Sequence, residues 1–481
     1  MSLEIKITTG GSDYYLSDEA HSGPKFGSDS GSTYYYGFIA IPPVLKLAAT
    51  TGGYISVAAG TVSLFNKVYD SNFPFSGANF STLLSNAGTA TNLPTISIKD
   101  STKYAIFDGS LVLQSLSDSL IVFTVQSADF NVFLAEGTIA DSSGDTVTVS
   151  WPYGTVANVP GLVCTDKQTG GNKFANGTAD HPGFYHSQTV SSFFIHLSSA
   201  GTTLYTSQSS GSPQTSWRVT DTLLEPQHWT NASPEHSDGT LAVGLAKSAN
   251  ITGTGPASGY VGGLFDYIAA DLGATVDSTK GGAVLSKECA IWQRTKIASV
   301  ELLSQAARSM NMQFYIAPNQ STGVSTIYVI DRATSPTATA LNDQDIVSSS
   351  FQVQAPLQSV TLSLRDYSWK GEILVEENFD LVSNNLSFGR QLKYRNFFGV
   401  TKSSAGTVAT ADAIRDIEKK PLASCTVNGI QMTYAPGDRF TFNRGVDRVS
   451  VDLIVRSIQW NWTNRTTTIS GDCTLSPFEN E

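Results

Sequence analysis

Two short stretches carry residue types that could do chemistry. In ADHPGFYHSQ, Asp180, His181 and His186 supply a carboxylate and two imidazoles, the donor types of a metal site. Their spacing matches neither ligands on adjacent helical turns nor a zinc signature, and Pro182 and Gly183 make the stretch a loop. A solvated loop is the expected reading. In EPQHWTNASPEHSDG, Glu225, His228, Glu235, His236 and Asp238 set carboxylates beside histidines, which acid–base cleavage of a glycan or peptidoglycan would need. Pro226, Pro234 and Gly239 again favour an exposed turn. The four cysteines, Cys164, Cys289, Cys425 and Cys473, form no CxxC pair, so reduced, structural thiols are expected. The sequence contains no GxSxG, no phosphate loop, no GxGxxG after a strand and no HExxH. It is therefore expected to hold no catalytic, cofactor-binding or metal residues, and no enzyme is expected.

The elements that would have to position such groups are mostly strands. Only 15% of the 481 residues are charged, 10% are aromatic, and Gly, Ser and Thr abound, the composition of a β-rich protein with many turns. A chain of this length divides into two to four domains. The formal net charge of −11, with no basic run, argues against a face that binds nucleic acid. MSLEIKITTGG lacks an apolar signal region, so no secretory signal is expected. No apolar run reaches transmembrane length either.

Residues 1–156 read as an N-terminal β-rich domain of short strands and turns. Within it, Val132, Leu134 and Ile139 face Val147, Val149 and Trp151 across a Ser-Gly-Asp turn. Residues 157–258 read as a loop-rich β insertion, with VSSFFIHLS and TTLYTS as its clearest strands. Residues 259–345 read as a helix-bearing α+β domain. GYVGGLFDYIAADLGA sets Leu264, Phe265, Ile268 and Leu272 on one face and stops at Gly273. SVELLSQAARSMNMQFYIA starts from Ser299 as N-cap and lines up Val300, Leu303, Ala307 and Met310. Residues 346–481 read as a β domain with one helix at 410–420.

In that last segment YAPGDRFTF opens on a turn. Pro436 pre-sets φ, Gly437 accepts a positive φ, and Asp438 can bond its own downstream backbone. Phe440 and Phe442, then Val449, Val451, Leu453 and Val455, then Ile458, Trp460 and Trp462 alternate with the period of half-buried strands. TTTIS supplies another short strand. Two aromatic clusters, TYYYGF at 33–38 and QWNWT at 459–463, could stack on sugars, but large aromatics more often fill cores or subunit contacts. The fold class read here is α+β, mainly antiparallel β.

The succession of SVELLSQAARSMNMQFYI, IYVIDRA, SSFQVQAPLQSVTLSLRDY, an Ala-containing helix, YAPGDRFTF and VDLIVRSIQWNWTNRTTTISGD resembles the baseplate hub or tail-tip hub proteins of long-tailed, siphophage-like bacteriophages. The matching segments run from about Tyr260 to Pro477. The resemblance implies tail-tube-like β-barrel domains with an inserted helix-bearing α+β domain, assembled as a homotrimer whose three copies of two barrels form a six-fold-like ring. It implies a virion protein, made in the bacterial cytoplasm, that joins the tail tube to the tip or fibre and provides the channel for DNA ejection. The implied partners are further copies of the chain, a tail tube or distal tail protein, the tape measure protein and a tail fibre or tip protein. DNA would pass without specific binding, and no cofactor is implied. The structural residues expected to matter are Pro436, Gly437 and Asp438 in the turn, Phe440, Val451, Val455, Trp460 and Trp462 as inward or interface residues, and Leu303 and Met310 in the helix. The alternative function is a secreted or surface β-protein that binds or cleaves glycans.

Overall fold

A computed structural model describes, apart from short breaks, residues 3–127, 260–353 and 412–477; between them it describes the backbone of strands within 137–166, 217–224, 251–252 and 357–396. The described chain is α+β, with mostly antiparallel sheets and a few helices.

The first nine-stranded sheet begins with Leu3–Thr9, whose Leu3, Ile5 and Ile7 point into the core while Glu4 and Lys6 face the other way. This strand pairs with Ser12–Ser17 on one side and Thr95–Asp100 on the other. The sheet continues through Phe107–Leu116 and Leu120–Ser127 to Thr61–Phe65. Its two ends belong to one stretch of chain. Ser32–Gly37 pairs with Ser12–Ser17, and Ile39–Ile41 pairs with Thr61–Phe65, with Phe38 alone between them. The sheet thus curls until its next-to-last strand on one side, Ser32–Gly37, and its last strand on the other, Ile39–Ile41, meet at Phe38, while His21–Pro24 pairs outside Ser32–Gly37; Phe38 N–H donates to Tyr36 O at 2.8 Å.

The C-terminal sheet uses the same device. Thr339–Ala340 and Ile346–Gln352 are joined by the single turn Asp343–Asp345 and lie at opposite ends of the strand order. The resemblance implies β-barrel domains, yet among the described residues each sheet is an open path. The physical reason is the same in both: the bridging stretch breaks in the middle, so its halves pair with different neighbours and no continuous ladder closes.

The sequence reading is corrected at several elements. Ala78–Thr89 is a helix inside a segment read as strands and turns, and it buries Leu83 and Ala87. VSVDLIV and SIQWN form one strand, Val449–Asn461, and TTTIS belongs to the long strand Thr466–Pro477. Trp151 does not extend the hairpin of Gly137–Ala140 with Thr146–Val149; Trp151–Tyr153 pairs with Ile291–Gln293. The N-cap of helix Ser299–Ser309 is Ala298, with Ser299 the first helical residue. The fourth helix is described over 412–418. VSSFFIHLS and TTLYTS lie outside the described residues.

Between the two large sheets sits a three-stranded one, in which Ser325–Asp331 pairs with Thr275–Lys280 in parallel and with Met312–Pro318 antiparallel. Every residue of Met312–Pro318 is buried. Met312, Phe314 and Ile316 pack with Leu264, Phe265 and Leu303 of helices Val261–Asp271 and Ser299–Ser309 and with Met310, the C-cap of the second. Tyr315 and Ala317 instead join the core shared by both large sheets. The hairpin of Val44–Ala49 and Ile55–Ala58 lies within residues 1–156, yet it adds to the C-terminal sheet, with Leu47 opposite Ile458 and Leu45 opposite Trp460.

Candidate functional site

The turn that opens the terminal strands is docked against the middle sheet. Gly437 has φ +85° and donates its N–H to Val455 O at 2.8 Å, while Val455 N–H donates to Asp438 O at 2.8 Å. Asp438 does not bond downstream as read from the sequence. Its Oδ2 accepts from the Ala435 N–H at 2.8 Å, one turn upstream, because its Oδ1 is taken by Lys280 Nζ at 2.7 Å. The same ammonium donates to Pro436 O at 3.0 Å. A Cβ on Gly437 would lie 2.9 Å from Ile330 Cγ2, so glycine serves both the backbone angle and the close approach.

A second anchor is ionic. Arg456 sits where the register between Val449–Asn461 and Thr466–Pro477 slips, between Val455 and Ser457, and such a bulge re-aims a side chain. Its Nε donates to Asp472 Oδ2, and its Nη2 lies 3.5 Å from Glu418 Oε1. Arg332, just past the middle sheet, donates from Nη2 to Glu418 Oε1 at 2.8 Å and lies 3.7 Å from Asp472 Oδ2. Four largely buried charged groups from four segments are thus set in pairs. Burial pushes the Asp472 carboxyl up to about 7; Arg332 and Lys420 pull it down and Glu418 pushes it up. Nearby, Arg439 grips Asp452 through Nε to Oδ1 at 2.7 Å and Nη2 to Oδ2 at 2.5 Å, a half-exposed fork.

Phe440, Val451, Val455, Trp460 and Trp462 are all buried in the shared core, and Leu303 and Met310 in the separate core under the helices. The structure therefore brings together the 436–438 turn, the four strand residues and Trp462, which lies in the turn just past Asn461, and keeps Leu303 and the helix C-cap Met310 apart from them. Trp460 donates its indole N–H to Gln431 O at 3.0 Å. It also lines a cavity of about 290 Å³ with Leu47, Tyr315, Tyr328, Met432 and Tyr434. Tyr315 and Tyr328 stack at 4.6 Å there, and burial holds the Tyr315 hydroxyl well above its ordinary pKa. This is a packing junction between segments, and its lining offers no activated nucleophile.

The histidine-carboxylate stretches at 180–186 and 225–238 lie outside the described residues. Among the described residues no group of three or more His, Cys, Asp or Glu is placed to hold a metal. The sequence reading missed Arg332, Glu418, Arg456 and Asp472, which lie far apart along the chain. One signal was present: Val455 and Ile458 are three apart where alternation demands two, which marks the bulge that turns Arg456 inward.

No protein-family model matches the chain, and no curated protein sequence matches it. Solved structures do. The 43 kDa tail protein of prophage MuSo2 from Shewanella oneidensis is 13% identical with a TM-score of 0.43, and 98% of each chain is covered. A tail protein from Neisseria meningitidis MC58 is 9% identical with a TM-score of 0.44, over 98% of this chain and 97% of that one. The prophage tail protein gp18 from Listeria monocytogenes EGD-e is 6% identical with a TM-score of 0.37, over 98% and 94%. Over nearly its whole length, then, the chain is similar to tail proteins, two of them from prophages.

Proposed function

We propose that the chain is a structural hub of a phage tail tip or baseplate, a homotrimer that joins the tail tube to the tip or fibre and surrounds the channel through which DNA leaves. The observation that carries this reading is the pair of large, mostly antiparallel sheets, each with strands near its two ends supplied by one short stretch of chain. Two such sheets per chain suit a three-fold assembly that must present six similar faces to a hexameric tube. Residues 1–156 and 346–481 supply the two β units, 259–345 the helix-bearing unit and 157–258 a loop-rich addition. The edge strand Ile346–Gln352 carries no charge and no proline, and Val347 and Val353 are 55% and 73% exposed. Edges are ordinarily blunted by such residues; here a neighbouring copy covers the edge.

The lumen in this reading is neutral to acidic, since 41 acidic residues face 30 basic ones and a conduit for DNA should avoid clustered Lys and Arg. Tail tube, tape measure and fibre or tip proteins are the partners, and the particle is the location. Sedimentation velocity with negative-stain imaging of the purified chain tests the proposal. A three-fold ring with a central pore, without salt-sensitive binding of duplex DNA, is expected. A monomer that binds oligosaccharide would overturn the proposal in favour of the glycan-binding reading.

A further inference from the structure

We propose that the outer hairpin of the first sheet, residues 21–37, is latched by a doubly protonated His21 and loosens when that imidazole becomes neutral. Among the described residues the hairpin joins the sheet by backbone pairing at two positions, Leu16 with Tyr36 and Ser17 with Gly37. Side chains do the rest. Lys99, fully buried on the face opposite the core, donates from Nζ to Pro24 O at 2.6 Å and lies 2.9 Å from Glu4 Oε2. Tyr35 donates its hydroxyl to Pro24 O at 2.6 Å, and the His21 ring lies against the Tyr35 ring at 5.2 Å and 13°. Gly23 lets the outer strand approach, since a Cβ there would lie 2.9 Å from Glu4 Oε1.

His21 faces acceptors at both ring nitrogens. Nδ1 lies 2.8 Å from Glu19 O and Nε2 2.9 Å from Glu4 Oε1. A carbonyl and a carboxylate paired with Lys99 accept, and neutral imidazole has one N–H; only imidazolium donates to both. Among the described residues, the titratable and charged groups around the ring include Glu4, Lys99, Tyr35, Asp18 and, against Tyr35, Tyr15. Burial lowers the imidazole pKa, but the hydrogen bonds to Glu19 and Glu4 and the charges of Glu4 and Asp18 outweigh it, so the pKa stands above the usual 6.5. A raised pKa means the latch is complete below the unfolded value and is lost as pH rises through the folded one. Loosening uncovers Leu16 and Ser17 of the Ser12–Ser17 strand, whose backbone groups can then pair with another chain.

The test uses the full chain. NMR of protein carrying ¹³C-labelled histidine gives the His21 midpoint, and hydrogen exchange from about pH 5.5 to 9 follows amides 22–36 against 107–127. The expected midpoint lies above 6.5, the ordinary value of a free histidine side chain. Corrected for intrinsic rates, protection of 22–36 is expected to fall about tenfold through that midpoint, the factor for losing one charge-assisted hydrogen bond, while 107–127 is unchanged. His21→Gln, which has one donor group at the ring's place, is expected to give weaker protection that does not follow pH. A midpoint at or below 6.5, protection unchanged through the midpoint, or a wild-type pH profile in His21→Gln would each overturn the proposal. The first two are read on the wild-type protein, so they stand even if the variant does not fold.

Discussion

Gly437 and Gly429 form a matched pair that separates backbone strain from docking. Both adopt left-handed φ, +85° and +82°. An alanine at either position costs about 1 to 2 kcal/mol for the backbone alone. At 429 the nearest neighbour to a new Cβ is Gln431 Nε2 at 3.5 Å, the end of a flexible side chain. At 437 it meets Ile330 Cγ2 at 2.9 Å and Lys280 Cδ at 3.2 Å, which adds about 1 to 3 kcal/mol of overpacking. Gly437→Ala is therefore expected to cost about 2 to 5 kcal/mol in all and Gly429→Ala about 1 to 2. Urea unfolding followed by tryptophan fluorescence measures both. The excess should vanish when Ile330→Ala removes the offending methyl, a non-additivity that a double-mutant cycle reads directly. Equal costs at the two glycines, or no relief from Ile330→Ala, would refute the docking of this turn on the middle sheet.

Other consequences follow from the ionic anchors and the thiols. Arg456→Met should destabilise by about 3 kcal/mol, the low end for breaking a buried pair, because Asp472 can take up a proton. Arg439→Met, which breaks a pair with side chains 29% and 32% exposed, should cost about 1 kcal/mol or less; the two are compared by the same urea assay. The Asp472 pKa of about 7 stands above the ordinary 3.8, so this group's contribution to stability is complete at low pH and is lost as pH rises through 7. Unfolding midpoints measured from about pH 4 to 8 should therefore shift in favour of Asp472→Asn over wild type as pH rises. Burial pushes the Cys425 thiol up to about 12 and the Cys473 thiol up to about 11. With Cys164 and Cys289 replaced by serine, the folded chain should resist a thiol-reactive dye that labels it fully in denaturant.

Local periodicity made much of this fold legible. Val451, Leu453 and Val455 alternate into the core, and Leu303, Ala307 and Met310 line one side of a helix, as the spacing requires. Helix Ala78–Thr89 was readable too, since Phe80, Leu83, Leu84 and Ala87 stand at helical intervals, but Ser, Thr, Asn and Gly between them argue for a turn. What no local pattern could supply is the pairing of residues 44–47 with 458–461, which joins opposite ends of the chain. Lys99 is instructive in another way. Alternation places it opposite Ile96 and Ile98, on the face normally left to water, and only the outer hairpin folding over that face buries it. Glu418 likewise lies on a helix rich in exposed charge, and only the approach of Arg332 and Arg456 gives it partners.

The middle unit is an insertion in sequence, yet its physics forbids treating it as detachable. Strand Met312–Pro318 sends Met312, Phe314 and Ile316 to its own helices and Tyr315 and Ala317 to the core of the large sheets. Phe314 also accepts a strand-like approach from the first segment, its N–H donating to Gly53 O at 2.9 Å. Cutting the unit out would expose Tyr315, Ala317 and Ile330 on one side and Leu45, Leu47 and Val57 on the other, at about 1.5 to 3 kcal/mol for each large apolar side chain. It would also strand Arg332 without Glu418, and Lys280 without Asp438. Residues 259–345 expressed alone are therefore expected to aggregate or stay unfolded, and the chain lacking them should lose the cooperative unfolding of its C-terminal sheet. The measurements are size-exclusion chromatography and hydrogen exchange on the two pieces. A soluble, protected 259–345 fragment together with an undisturbed remainder would mean that the two anchors and the shared core contribute little.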